Sequence, residues 1–142
     1  MNDVEFVRLW RQWVAYLEET WGIDPRFGYL VGLAQTVTQF NGYPRGILIV
    51  SGYRSPKRQL ELQNRWDSGD RVGLVARPAS RSWHMQGLAV DVNTREQGFP
   101  FFRDIMLQLP GVRWGGNFNR KDNVHFDLPI GKPLSIQQLL SS

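Results

Sequence analysis

The sequence predicts an α+β fold: a single domain with a small, mainly antiparallel sheet and helices packed largely on one side of it. Three observations carry this expectation. Helical and strand patterns succeed one another as helix, helix, strand, helix, strand, helix, hairpin. The 142 residues are one domain's length and suffice to bury roughly two-thirds of the unfolded surface. No internal repeat, low-complexity tract or linker divides the chain. Residues 1–142 are therefore read as one domain, with a helical segment over 1–45 and a functional core over 46–128.

Taken in order, Asp3 to Trp21 carries Val7, Trp10, Val14, Leu17 and Trp21 at helical spacing, with Asn2 or Asp3 placed to cap and Gly22 to stop. Asp24-Pro25 repeats the start signal, and Phe27, Leu30, Val31, Ala34 and Val37 continue to Asn41-Gly42. A helical stripe of large residues is usually core, so the tryptophans here receive no binding role. Gly46 to Val50 is short, apolar and β-branched, which predicts a buried strand delivering Tyr53 and Arg54 to its end. Ser55-Pro56 opens a third helix holding Leu60, Leu62 and Trp66 and stopping near Ser68-Gly69. Asp67 to Arg81 shows neither period and is read as the rim of a groove, because long loops in small domains tend to be functional. Leu88 to Val92 reads as a strand, and Phe99 to Leu109 as a helix ended by Pro110-Gly111. Val112 to Trp114 and Val124 to Leu128 form a hairpin around the polar loop 115–123. Alternation puts Val124, Phe126 and Leu128 on one face, over the core, and His125 and Asp127 on the other. The tail from Pro129 ends in a short helix around Ile136 to Leu140 with no chemical role.

Composition narrows the function. Cysteine is absent, which removes thiolate catalysis, disulfides and cysteine-based zinc sites. No apolar run is long enough to span a membrane, so no membrane insertion is expected. The N-terminus lacks a basic stretch followed by an apolar one, which predicts synthesis in the cytoplasm without a secretory signal. A net charge of +4 suits contact with polyanions, an acidic cell wall included. The cations are dispersed, with Arg71, Arg77 and Arg81 the closest cluster, and no nucleic-acid reader motif is present, so no nucleic-acid partner is expected. The protein is read as a monomer.

Both histidines lie in compact polar-apolar segments, Ser82 to Asp91 and Asp122 to Asp127. His84, Asp91 and His125 are read as ligands of one zinc ion, an open three-ligand set that leaves the fourth position for water and suits hydrolysis. The steps from His84 to Asp91 would span roughly 23 Å if extended, whereas ligand atoms must sit about 2 Å from one metal. The chain must turn back, and Gly87 is the pivot, since glycine tolerates positive φ. The same ligand types also describe the non-haem iron triad. A thermolysin-type His-Glu-x-x-His helix is absent.

Ser82-x-His84-x-x-Gly87-x-Ala89-x-Asp91 followed by Asp122-x-x-His125-Phe126, with Ser51-Gly52-Tyr53-Arg54-Ser55 upstream and Trp114-Gly115-Gly116 between, resembles the zinc D-alanyl-D-alanine carboxypeptidase and L-alanyl-D-glutamate endopeptidase family. The resemblance runs from about Gly46 to Leu128. It implies a zinc-dependent hydrolase of peptidoglycan stem peptides with a hedgehog-like or DD-peptidase-like fold. Asp122 stands where the family carries its catalytic carboxylate, and Arg54 where it carries a substrate-facing arginine able to bind a carboxylate or an oxyanion. Asp127 is read as orienting a ligand imidazole. Ser82 and Trp114 are read as substrate contacts beside the ligand hairpin. An L-alanyl-D-glutamate endopeptidase working as a phage-type lysin on the host wall leads. A D-alanyl-D-alanine carboxypeptidase or dipeptidase, and a non-catalytic zinc-binding structural module of a virion, stay open.

Overall fold

Four of the five α-helices among the described residues begin where a short polar side chain satisfies a free backbone N–H; the fourth in chain order starts at Gly98 with no side-chain cap. The computed structural model describes residues 2–142. The Asn2 side chain accepts from Glu5 N to start α1 (Asp3–Trp21), and Gly22 closes it in the left-handed conformation. Asp24 caps α2 (Pro25–Phe40) and Ser55 caps α3 (Pro56–Asp67), each with proline in the first turn. α4 (Phe99–Gln108) and a capping-box helix α5 (Ile136–Leu140) complete the set. The expected helix boundaries hold to within a residue or two. No helix among the described residues is long and apolar enough to cross a membrane.

The strands β1 (Ile49–Ser51), β2 (Ala89–Val92), β3 (Arg113–Trp114) and β4 (His125–Asp127) form one antiparallel sheet in the order β1-β2-β4-β3. The fold is α+β, as expected. Register decides what faces where, because directly paired residues share a face. Asp91 pairs with His125 and Val90 with Phe126. Arg113 pairs with Asp127 and Trp114 with Phe126. One face thus gathers Asp91, His125, Asp127 and Arg113, and the other Val90, Phe126 and Trp114.

The second face is the core. Phe126 is fully buried and meets Phe102 of α4 edge-on at 5.5 Å between ring centres. Leu17 of α1, Phe27 and Val31 of α2, and Phe99 and Met106 of α4 join the same cluster. None of this apolar packing involves the polar face of the sheet.

Two local expectations are corrected. The segment 46–50 is not a fully buried strand: β1 is an edge strand, with Ile47 and Ile49 inward and Leu48 and Val50 exposed. Its register also shifts, since Ile49 pairs with Val92 but Ser51 with Asp91. That bulge leaves Val50 over and turns Ser51 to the polar face. Val124 lies before β4 and outside the core cluster, so only Phe126 and Leu128 of the expected apolar trio pack inward.

The turn joining His84 to β2 depends on Gly87, at φ 71°, where an added Cβ would sit 2.8 Å from the Gly22 carbonyl oxygen. Gly87→Ala therefore imposes both strain and a clash and is expected to destabilise the protein by more than about 1 kcal/mol. Denaturant unfolding measures this, and an unchanged midpoint would show that the turn does not require glycine.

Candidate metal centre

His84 sits in a single 3-10 turn, Trp83–Gln86, capped by Ser82, whose Oγ accepts from His84 N at 3.3 Å. Its ring Nδ1 lies 2.7 Å from the Gly52 carbonyl oxygen. A carbonyl can only accept, so Nδ1 carries the proton and Nε2 is left with a lone pair. His125 is arranged the other way round. Its Nε2 lies 2.7 Å from Asp127 Oδ2 and donates to that carboxylate, which frees Nδ1.

The two free nitrogens converge on one oxygen. His84 Nε2 and His125 Nδ1 are each 3.3 Å from Asp91 Oδ1. With both ring protons already committed, neutral imidazoles have nothing to donate to Asp91. Either an extra proton or a cation must sit among the three atoms. Ligands about 2.0–2.1 Å from a tetrahedral zinc lie about 3.3–3.4 Å apart, so the observed separations suit such an ion. Among the described residues His84, Asp91 and His125 are the group whose donor atoms, all within 4.8 Å of one another, could hold a metal.

The electrostatics agree. Burial by itself would raise the Asp91 carboxyl, but His125 and His84 hold it well below the usual carboxylate range. Burial opposes the charge on His125, yet the carboxylates of Asp127 and Asp91 push it up to about 9. Asp127 is only 1% exposed, and His125 and Arg113 overcome its burial to keep it ionised. Arg113 grips it with two prongs, Nε at 2.8 Å and Nη2 at 2.9 Å. Arg113 was not read as a site residue from sequence. The signal was available in the hairpin register, which puts it directly opposite Asp127.

These groups line a cleft of about 590 Å³ together with Arg54, Ser82, Asp122 and the rim loop 73–79. Gln59 and Gln63 of α3 hold that loop through the carbonyls of Ala79 and Pro78. Asp122 sits at the mouth of the cleft. Its backbone N–H donates to Gly115 O at 2.9 Å and its carbonyl accepts from His125 N at 3.1 Å, which folds the turn back toward the ligands. Partial burial and the charge of Asp91 raise its carboxyl. Arg54 N donates to His84 O at 2.9 Å, and its guanidinium is steadied by Gln59 Oε1 at 3.0 Å. No described carboxylate pairs with Arg54. Trp114 is placed elsewhere: its ring stacks on Phe126 and its Nε1 donates to Asn123 O at 2.8 Å, so it packs on the core face and does not line the cleft.

Residues 76–128 match a family model described as D-alanyl-D-alanine carboxypeptidase. The matched stretch holds His84, Asp91, Asp122 and His125 and supports the family resemblance read from the motifs and, with it, a peptidase acting on peptidoglycan. It does not include β1, Arg54 or the helices α1 to α3. No curated protein matches the chain.

Two outcomes follow from this geometry. His125 binds a proton near its pKa of about 9 when free but must be deprotonated to hold an ion. Metal affinity is therefore expected to fall about tenfold for each pH unit below that value, the sign set by one proton released per ion bound. Competition with a chelator from about pH 6 to 8 measures it, and a flat profile would remove His125 from the ligand set. Arg113→Met is expected to weaken metal binding about 10- to 100-fold by freeing Asp127 to rotate away from His125, and unaltered affinity would deny it that role.

Proposed function

We propose that this member of the D-alanyl-D-alanine carboxypeptidase family is a zinc peptidase that hydrolyses peptidoglycan stem peptides, with the L-alanyl-D-glutamate bond as its target and a phage-type lysin as its setting. The observation that carries the reading is the convergence of two imidazole lone pairs on Asp91 beside a free carboxylate, Asp122, and an unpaired cation, Arg54.

Zinc held by His84, Asp91 and His125 would supply Lewis-acid activation of water and of the scissile carbonyl. The residues of the chain do the rest. Asp122 takes a proton from the attacking water as its oxygen bonds to the carbonyl carbon, then passes that proton to the amine nitrogen as the C–N bond breaks. A carboxyl raised by partial burial and by Asp91 is a better acceptor than an ordinary aspartate. Arg54 faces the same cleft and meets the developing oxyanion or a substrate carboxylate. Asp127, itself fixed by Arg113, keeps His125 in the tautomer that leaves Nδ1 free. Ser82 holds the His84 turn through its cap and touches substrate only at the cleft wall.

A carboxypeptidase acting on the terminal D-alanine is the second reading. It is favoured by the description of the matched family and by Arg54, which lacks a carboxylate partner of its own. Mass analysis of digested muropeptides separates the two: loss of one alanine marks the carboxypeptidase, and a new glutamate amine marks the endopeptidase. Muropeptides left unchanged by zinc-loaded protein would sink both.

Asp122→Asn is expected to keep zinc and the fold but lose hydrolysis by about 10²- to 10⁴-fold, because an amide cannot accept the water's proton. Asp127→Asn should lose only about 10- to 100-fold. If Asp122→Asn turned over normally while Asp127→Asn was inactive with zinc bound, the roles would be exchanged.

A further inference from the structure

The charges around the cleft do not balance. Arg77 is paired with Asp67 at 2.9 Å and Arg113 with Asp127 at 2.8 Å. A divalent ion would match the charges of Asp91 and Asp122. Arg54 and Arg81 are left over, and both line the cleft.

Each of these guanidiniums is fixed by neutral acceptors alone. Arg54 is held by Gln59 Oε1 at 3.0 Å and grazes Ser51 Oγ at 3.5 Å. Arg81 donates through Nη1 to the Pro133 carbonyl and to Gln138 Oε1, both at 2.9 Å. Gln138 is itself locked, since it completes the capping box of α5. Its Oε1 also accepts from Ser135 N, and Arg81 bridges to Ser135 through the backbone. Among the described residues no carboxylate lies within ion-pair distance of either arginine. Anchoring by neutral groups orients a cation without spending its charge, so its remaining N–H groups stay available for an anion.

We infer that the cleft takes a peptide bearing two free carboxylates, one received by Arg54 and the other by Arg81, and that Arg81 is a specificity residue of the site. The inference rests on the peptidase reading for the identity of the ligand as a peptide, but the charge argument is independent of turnover. Peptides in which either carboxylate is amidated should bind poorly, because a charge-assisted contact is exchanged for a neutral one. Loss of one such contact costs about 10- to 100-fold in affinity.

The test is calorimetric binding of synthetic acidic stem-type peptides to zinc-loaded Asp122→Asn protein. Four peptides are compared: both carboxylates free, each one amidated in turn, and both amidated. The expected result is a 10- to 100-fold loss for each amidation. In Arg81→Gln one of the two amidations should cease to matter while the other keeps its full effect. Arg81→Lys, which keeps the charge but not the anchoring geometry, should restore part of that discrimination. Equal binding of free and amidated peptides would overturn the inference. So would an Arg81→Gln loss that is the same for all four peptides, since that is the signature of a merely structural arginine tethering α5. Muropeptide cleavage indifferent to amidation would leave the peptidase reading standing and this inference refuted. Discrimination in binding with no cleavage by the parent protein would do the reverse.

Discussion

Two ring protons decide the chemistry of this protein. The Gly52 carbonyl accepts the hydrogen bond of one, held on His84 Nδ1, and the Asp127 carboxylate that of the other, held on His125 Nε2, so both remaining nitrogens present lone pairs to the same oxygen of Asp91. Such an arrangement is electrostatically incomplete without a proton or a cation at its centre. Much of the surrounding structure keeps the two rings in these tautomers. The edge strand β1 runs on into Gly52, where an added Cβ would lie 2.5 Å from the Trp21 carbonyl oxygen, so the backbone approaches closely at the point where the histidine needs an acceptor. The outer strand β3 brings Arg113 across from Asp127, which lets a buried carboxylate stay charged and hold His125.

The division of the sheet into two faces makes this affordable in stability. Phe126, Val90 and Val92 pack beneath α1, α2 and α4, and that apolar layer does not pass through the site. Residues one position apart on β4 serve opposite purposes, with Phe126 in the core and His125 and Asp127 in the cleft. The site can therefore concentrate charge on its side of the strand while the other side supplies the burial that folds the chain. Asp127 shows how far this goes, because it is almost fully buried yet has an arginine on one side and an imidazole on the other.

Much of the fold was legible because local rules dominate where it was read correctly. Asn2, Asp24 and Ser55 each have a short side chain suited to accept from the free N–H groups of a helix start, and Gly22 closes a helix in the left-handed conformation that glycine readily adopts. The gathering of His84, Asp91 and His125 was legible because both histidines fell within motifs. What the sequence concealed depends on pairing between distant segments. The extra residue in β1 cannot be seen until Ser51 is found opposite Asp91. Trp114 follows Arg113 by one step, and only the register with β4 tells which of them faces the cleft. In sequence Arg81 stands out only as one of the closest cluster of cations, since its anchors, Pro133 and Gln138, lie more than fifty residues on.

The central claim is that the tautomers are fixed in opposite senses, with His84 protonated at Nδ1 and His125 at Nε2. Long-range proton–nitrogen NMR correlation of the labelled protein, loaded with a spin-active cadmium ion in place of zinc, reads it directly. The account predicts metal coupling to His84 Nε2 and to His125 Nδ1, each ring showing a proton on its other nitrogen. Coupling to the same type of nitrogen in both rings, or a His125 bound through Nε2 with Asp127 released, would contradict it.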